Sequence, residues 1–197
     1  MPLKLLLAVL LVSASIPAYS QVAPQAKAPG IPLTVGVGYS NYATDWSGRL
    51  SGPTLWIDWS YKGDQLFLRG FGLEVEARDL NYDRTGTTPN LRMDTASGGV
   101  TYSLRPWRRY QDRFKPYAKF LIGYGSIDFT SSDPNYKHDT RTVLSPAGGL
   151  DYRIFGDVWV RGNYEYQFWP DFFNHNALNP NGITVGIAYD LRSHHSH

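Results

Sequence analysis

Large apolar residues alternate with small or polar ones along most of this chain, a period of two that marks extended strands with unlike faces. The last such stretch, residues 182–191, shows it most cleanly. Ile183, Val185, Ile187, Tyr189 and Leu191 share one face, and Thr184, Gly186, Ala188 and Asp190 share the other. A face that is apolar with an aromatic near its end, backed by a small and polar one, suits lipid outside and a crowded lumen inside. The same alternation predicts seven earlier strands over 33–42, 53–61, 66–82, 91–104, 115–129, 140–155 and 158–168, the third being the longest. Helical periodicity is absent. Eight strands, an even number, predict an all-β fold, an eight-stranded antiparallel up-and-down transmembrane β-barrel.

Two strands break the rule locally. Pro146 lacks the N–H that a ladder needs, and Arg69 falls on the apolar side of the third strand. Either Arg69 snorkels at a membrane rim, or a bulge at Gly70 or Gly72 turns it inward. Connections after the odd strands, 43–52, 83–90, 130–139 and 169–181, are mostly longer and polar, as expected of extracellular loops. Those after the even strands are the shorter set, apart from the basic, aromatic connection 105–114. Trp46, Tyr82, Trp107, Tyr110, Trp159, Trp169, Phe172 and Phe173 gather near strand ends, where aromatic girdles meet the two interfaces. Phe172 and Phe173 are also candidate contacts for an unknown extracellular partner.

Composition narrows the class. Charged residues make up 18% of the 197, below the ~25% of soluble domains. There is no cysteine, so no disulfide or thiolate metal site is available, and a net charge of +2 offers nothing to nucleic acid. Residues 1–20 have the pattern of a signal peptide: Lys4, an apolar run over 5–12, then Ala18-Tyr19-Ser20, predicting cleavage between Ser20 and Gln21. That run is too short to span a bilayer. The expected order is therefore signal peptide 1–20, proline-bearing periplasmic lead-in 21–32, barrel 33–192 and flexible tail 193–197, in the bacterial outer membrane.

The polar faces carry Asp58, Glu74, Glu76, Arg78, Lys119, Asp151, Arg153, Arg161, Glu165 and Asp190. In a narrow lumen such charges must pair, because an isolated buried ion costs several kcal/mol. A salt-bridged plug in place of an apolar core follows, with no catalytic residue, cofactor or metal. Catalysis needs a nucleophile beside an oriented base. His138 and His175 fall in predicted loops, and His194, His195 and His197 in the tail, so no enzyme is expected. The competing readings are a narrow gated channel, a soluble lipocalin-like binding barrel and a membrane-edge lipid-modifying enzyme. The lipocalin reading would place many glycines, serines and threonines in water, where lysine and glutamate normally sit.

These strands, residues 115–125 and 182–191 above all, resemble the small outer-membrane β-barrel domain family of OmpA- and OmpX-like barrels over residues 31–192. The resemblance implies outer-membrane lipid as the surroundings and a C-terminal signal for the barrel-insertion machinery, matched here by Thr184, Gly186, Tyr189 and Leu191. On activity the resemblance is nearly silent; the packed polar lumen, the four outer loops and the lack of a catalytic constellation predict a structural or surface-display role.

Overall fold

The computed structural model describes residues 32–45, 48–61, 68, 70–82, 91–104, 113–129, 138–172 and 176–191. They form ten strands: β1 (Leu33–Ala43), β2 (Arg49–Ser60), β3 (Phe71–Tyr82), β4 (Leu91–Ser103), β5 (Phe114–Phe129), β6 (His138–Phe155), β7 (Val158–Tyr166), β8 (Trp169–Phe172), β9 (Asn176–Leu178) and β10 (Asn181–Asp190). Eight of them close a barrel in the order β1-β10-β7-β6-β5-β4-β3-β2. Every ladder is antiparallel, and β10 closes on β1 from Thr34↔Asp190 to Ala43↔Asn181. Closure leaves no sheet edge, the condition for strands to cross lipid.

Paired residues give the stagger. From Ala147 they run through Glu165 and Gly182 to Tyr42, and the other way through Lys119, Thr101, Gly72 and Ser60 to Pro32. The chain is met again ten residues along (42 − 32). Eight strands at this shear tilt steeply and leave an interior that side chains fill.

Several boundaries differ from the pattern-based expectation. β2 starts at Arg49, so the first distal connection is 44–48 rather than 43–52. β6 starts at His138 and, at 18 residues, is the longest strand. β3 starts only at Phe71, because Gly70 turns the chain with φ 103°. The stretch 169–181 is no open loop: it folds into the hairpin β8–β9. Arg69, Ser20, Gln21 and the tail 193–197 lie outside the described residues.

Pro146 explains where that hairpin leaves the wall. The β6–β7 ladder ends at Ala147↔Glu165 and resumes as the single bridge Leu144↔Phe168. Between them Tyr166 faces Pro146, which has no N–H to give. Past this gap the chain carries Gln167 and Trp169 inward, where both are buried.

Along the axis the wall has two storeys. At the end that holds Pro32 and Leu191, the outer face is apolar, with Val37, Leu55, Val75, Ile122 and Val185 each about half exposed or more. Phe71 meets Tyr102, and Phe114 meets Tyr152, as tilted ring pairs with centroids 4.9 Å apart near this rim. At the distal end the polarity inverts. Asp79, Asn81, Arg92, Asp94, Asp128, His138 and Thr140 face outward, while Leu50, Leu80, Leu91, Met93, Ile127 and Val143 are buried inside. β3 and β4 each contain the switch: Ala77 pairs with Ala96 on the apolar wall, and Asp79 with Asp94 just above.

Candidate functional site: the filled lumen

Three cations organise the lower lumen. Arg161 on β7 grips Asp151 with two bonds, Nε–Oδ1 2.8 Å and Nη2–Oδ2 3.1 Å, and reaches Glu74 Oε2 at 2.6 Å and Asp58 Oδ2 at 3.3 Å. Lys119 on β5 donates to Glu74 Oε1 and Glu76 Oε2, both at 2.6 Å, and lies 3.8 Å from Glu165. Arg78 on β3 holds Glu165 through Nη1 (2.9 Å) and Nη2 (3.2 Å), and also Glu76. Bidentate arginine–carboxylate geometry of this kind is directional and charge-assisted. Glu74 bridges Lys119 to Arg161, and Glu76 and Glu165 bridge Arg78 to Lys119, so five strands are tied across the bore.

Aromatic rings fill the space around this network. The Arg161 guanidinium lies 5.1 Å from the Trp56 ring and 4.7 Å from that of Tyr117, and Arg78 lies 4.5 Å from Tyr42. A Cβ at Gly36 would collide with the Trp56 indole, and one at Gly149 would lie 2.6 Å from the Tyr117 hydroxyl. The small residues of the inner face are thus sockets for lumen aromatics. Ser40 bonds Thr54 and, at 2.6 Å, Thr184 on the neighbouring strands.

Above the charges sits an apolar plug. Trp169 is fully buried among Tyr42, Leu50, Leu80, Met93, Ile127, Val143 and Leu178, with its ring in the space left by Gly125. Its indole N–H donates to Gln167 Oε1 (3.0 Å), whose Nε2 donates to Glu165 Oε1 (2.9 Å). The two layers are therefore joined by hydrogen bonds. A latch at the surface, Asn179 N–H to Asp45 Oδ2 at 2.9 Å, ties the hairpin side to the β1–β2 connection.

Asp58, Glu74, Glu76, Arg78, Lys119, Asp151, Arg161 and Glu165 meet in this network. Arg153 does not. It lies beside the β6–β7 turn, where Nε donates to Gly156 O (2.7 Å) and the guanidinium covers the Trp159 ring at 5.3 Å. A rim position lets it keep partial contact with water, so it needs no carboxylate. Asp190 is buried at the terminal rim, its N–H bonded to Asp157 O. Thr184 and Gly186 face the lumen, and Tyr189 and Leu191 face out.

Strand alternation alone did not disclose the plug. Its signal was the reversal of polarity beyond Ala77 and before Ala96, together with the run Gln167-Phe168-Trp169, which continues the inward phase of β7. His138 also departs from expectation: it lies on β6, with Nδ1 2.5 Å from Asp128 Oδ1 and Nε2 3.1 Å from Thr140 Oγ1. This carboxylate–imidazole–hydroxyl chain stands on the outer wall with His138 and Asp128 both more than half exposed. Among the described residues no group of three or more His, Asp or Glu converges as a metal site would.

The family model for the outer membrane protein beta-barrel domain matches residues 5–190. Among solved structures, Neisserial surface protein A (NspA) is similar over 80% of this chain and 95% of its own, with 12% identity and a TM-score of 0.56. Ail, the attachment invasion locus protein of Yersinia pestis, follows with 82% and 98% coverage, 14% identity and a TM-score of 0.55. OprG from Pseudomonas aeruginosa has 84% and 98% coverage, 11% identity and a TM-score of 0.52. At these identities the likeness is one of fold. No curated protein sequence matches the chain. The closed eight-stranded wall, apolar outside where it is polar within, agrees with the family match, and the chain belongs to the outer membrane protein beta-barrel domain family.

Proposed function

We propose that the protein is a sealed outer-membrane barrel with a structural or surface-display role, its distal end outward, neither transporting solute nor catalysing a reaction. The observation that carries this reading is that the bore is filled at two successive heights, by the ion-paired layer and then by the Trp169 plug. Either would stop a hydrated ion. The test is conductance of the refolded protein in a planar bilayer, after a heat-modifiability gel shows the folded barrel. The expected record is flat. Reproducible steps that vanish on Arg161→Ala would establish a narrow channel instead.

The absence of catalysis is supported by the surroundings of His138. A nucleophile–base pair works when it is shielded from water and faces preorganised donors for the developing oxyanion, whereas His138 and Asp128 are open to solvent and β5 and β6 pair along their length. Ester hydrolysis in lipid micelles at the rate of a His138→Asn variant is expected; a loss of activity in that variant would reverse this part of the reading.

The outward wall Tyr189–Leu191 and the inward Thr184 and Gly186 are proposed as the signal for the insertion machinery. Tyr189→Ala is expected to slow assembly in cells while leaving refolding into detergent unchanged. Equal rates in cells would remove the signal from this strand.

A further inference from the structure

Just above the apolar band the outer wall differs from one side of the ring to the other. On β3, β4 and β5 the outward positions carry Asp79, Asp94 and Asp128, and the cation among them, Arg92, is already bound to Asp79 and Asp94. On β10, β1 and β2 the wall holds no carboxylate among the described residues. The outward residues that come next above Ile183, Tyr39 and Pro53 are Asn181, Asn41 and Ser51, and above the last two stand Ala43 and Arg49.

Hydrogen bonds within this sector occupy acceptors and leave donors. Tyr39 Oη donates to Ser51 Oγ (3.0 Å), Arg49 Nη1 to Asn41 Oδ1 (3.0 Å) and Tyr164 Oη to Asn181 Oδ1 (3.1 Å). With those oxygens taken, the amide N–H groups of Asn41 and Asn181 and the hydroxyl hydrogen of Ser51 remain to be given. Arg49 is exposed and has no carboxylate partner among the described residues. Asp45, in the connection above, accepts the Asn179 N–H. The register gathers these donors: Ala43 pairs with Asn181 on one side and Arg49 on the other, and Asn41 pairs with Ser51. The Ala43 methyl is thus a low floor with a guanidinium and two amides around it. Such donors, one of them charged, suit an oxyanion with several oxygens.

We propose that β10, β1 and β2 bind the phosphate of an outer-leaflet glycolipid over Ala43, through Arg49, Asn41, Asn181 and Ser51. The site stands directly above Tyr39, Pro53 and Ile183, which are exposed on the apolar wall. A headgroup tethered to acyl chains is held at this height, whereas free phosphate meets only a solvent-screened arginine. The opposite sector, with its aspartates, repels the same group. Placing the lipid in the outer leaflet rests on the outward orientation of the distal end proposed above.

The test uses the full-length protein in a non-ionic detergent, with bound lipid followed by native mass spectrometry and a heat-modifiability gel showing that each variant is folded. Diphosphoryl lipid A is compared with its dephosphorylated form, with phosphatidylglycerol and with inorganic phosphate. Diphosphoryl lipid A is expected to bind most tightly, and Arg49→Gln to weaken it about tenfold through loss of one charge-assisted bond. Arg49→Lys should restore part of the binding. Asn181→Asp, which exchanges a donor for a negative charge, should weaken it further, and Arg92→Gln in the acidic sector should leave it unchanged. Equal binding by Arg49→Gln and the parent, or equal binding of the dephosphorylated lipid, would overturn the proposal. Phosphatidylglycerol or inorganic phosphate held as tightly as lipid A would overturn it in favour of a general anion site. Orientation is read separately. A Gly48→Cys variant, in a chain that has no other cysteine, is expected to react with a membrane-impermeant maleimide on intact cells. Reaction only after permeabilisation would refute the outward orientation, even where lipid A binds in detergent.

Discussion

The two storeys of this barrel are built from the same strands and obey opposite rules. In the lower one the outer face is apolar and the core is ionic; in the upper one the outer face is ionic and the core is apolar. Glu74, Glu76 and Arg78 face inward on β3 with Leu73, Val75 and Ala77 outside, and two residues later Leu80 faces inward with Asp79 and Asn81 outside. The inversion follows the solvent. Lipid adds no hydrophobic drive to bury apolar side chains within a barrel, so the lower lumen is held by charge-assisted bonds that low dielectric strengthens. Water on the outer wall restores that drive above, and the distal core is assembled by burying apolar surface as in a soluble domain. Two kinds of cohesion, joined through Trp169, Gln167 and Glu165, make one closed plug.

That contrast can be broken from either side. The largest effect is expected from Arg161→Ala, which takes from Asp151 and Asp58 their ion pair and leaves Glu74 with Lys119 alone. Removing one partner of a buried pair costs ~3–5 kcal/mol, to be read from urea unfolding in phospholipid vesicles. Trp169→Ala attacks the other layer through a cavity rather than a charge. A loss of about 3 kcal/mol is expected, with faster amide exchange in the distal halves of β1–β4 and little change near Arg161. Equal exchange throughout would show that the storeys do not differ in cohesion.

Val75→Lys and Asp79→Lys compare one face of one strand across the boundary. The first places a charge against hydrocarbon and should cost ~2–4 kcal/mol, and the second, in water, ~0–1 kcal/mol. Similar costs would move the membrane boundary above Asp79. The smallest effect is expected at Arg92, whose guanidinium reaches Asp79 at 3.0 Å and Asp94 at 3.2 Å on the exposed wall. Arg92→Ala should change stability by less than about 0.5 kcal/mol, because solvent screens such pairs, and the same urea titration measures it.

Much of this design was legible in the chain. Period-two alternation located all eight wall strands and separated lumen from lipid positions over most of their length. Ten lumen charges were read by phase alone, and eight of them meet in the network. Arg153 has the inward phase but lies beside a turn, and phase carries no information on depth. The hairpin β8–β9 is hidden in the sequence because its inward residues, Trp169 and Leu178, are apolar, the reverse of the rule that holds along the lipid-facing half of the strands. The Asp128–His138–Thr140 chain was missed because His138 precedes the first residues of clear alternation in β6.

The features written into the chain are local: the strands, their two faces, and the charges and glycines on the inner one. Each follows from side-chain direction along an extended backbone, which neighbours in the chain suffice to set. Which carboxylate meets which cation, the seat of Trp56 on Gly36 and the entry of Trp169 beside Gly125 arise on barrel closure. Those contacts join residues far apart in the chain, and they depend on the ten-residue stagger with which the barrel closes. Stagger is a property of the whole ring, set by all eight ladders together, so no single stretch of sequence contains it.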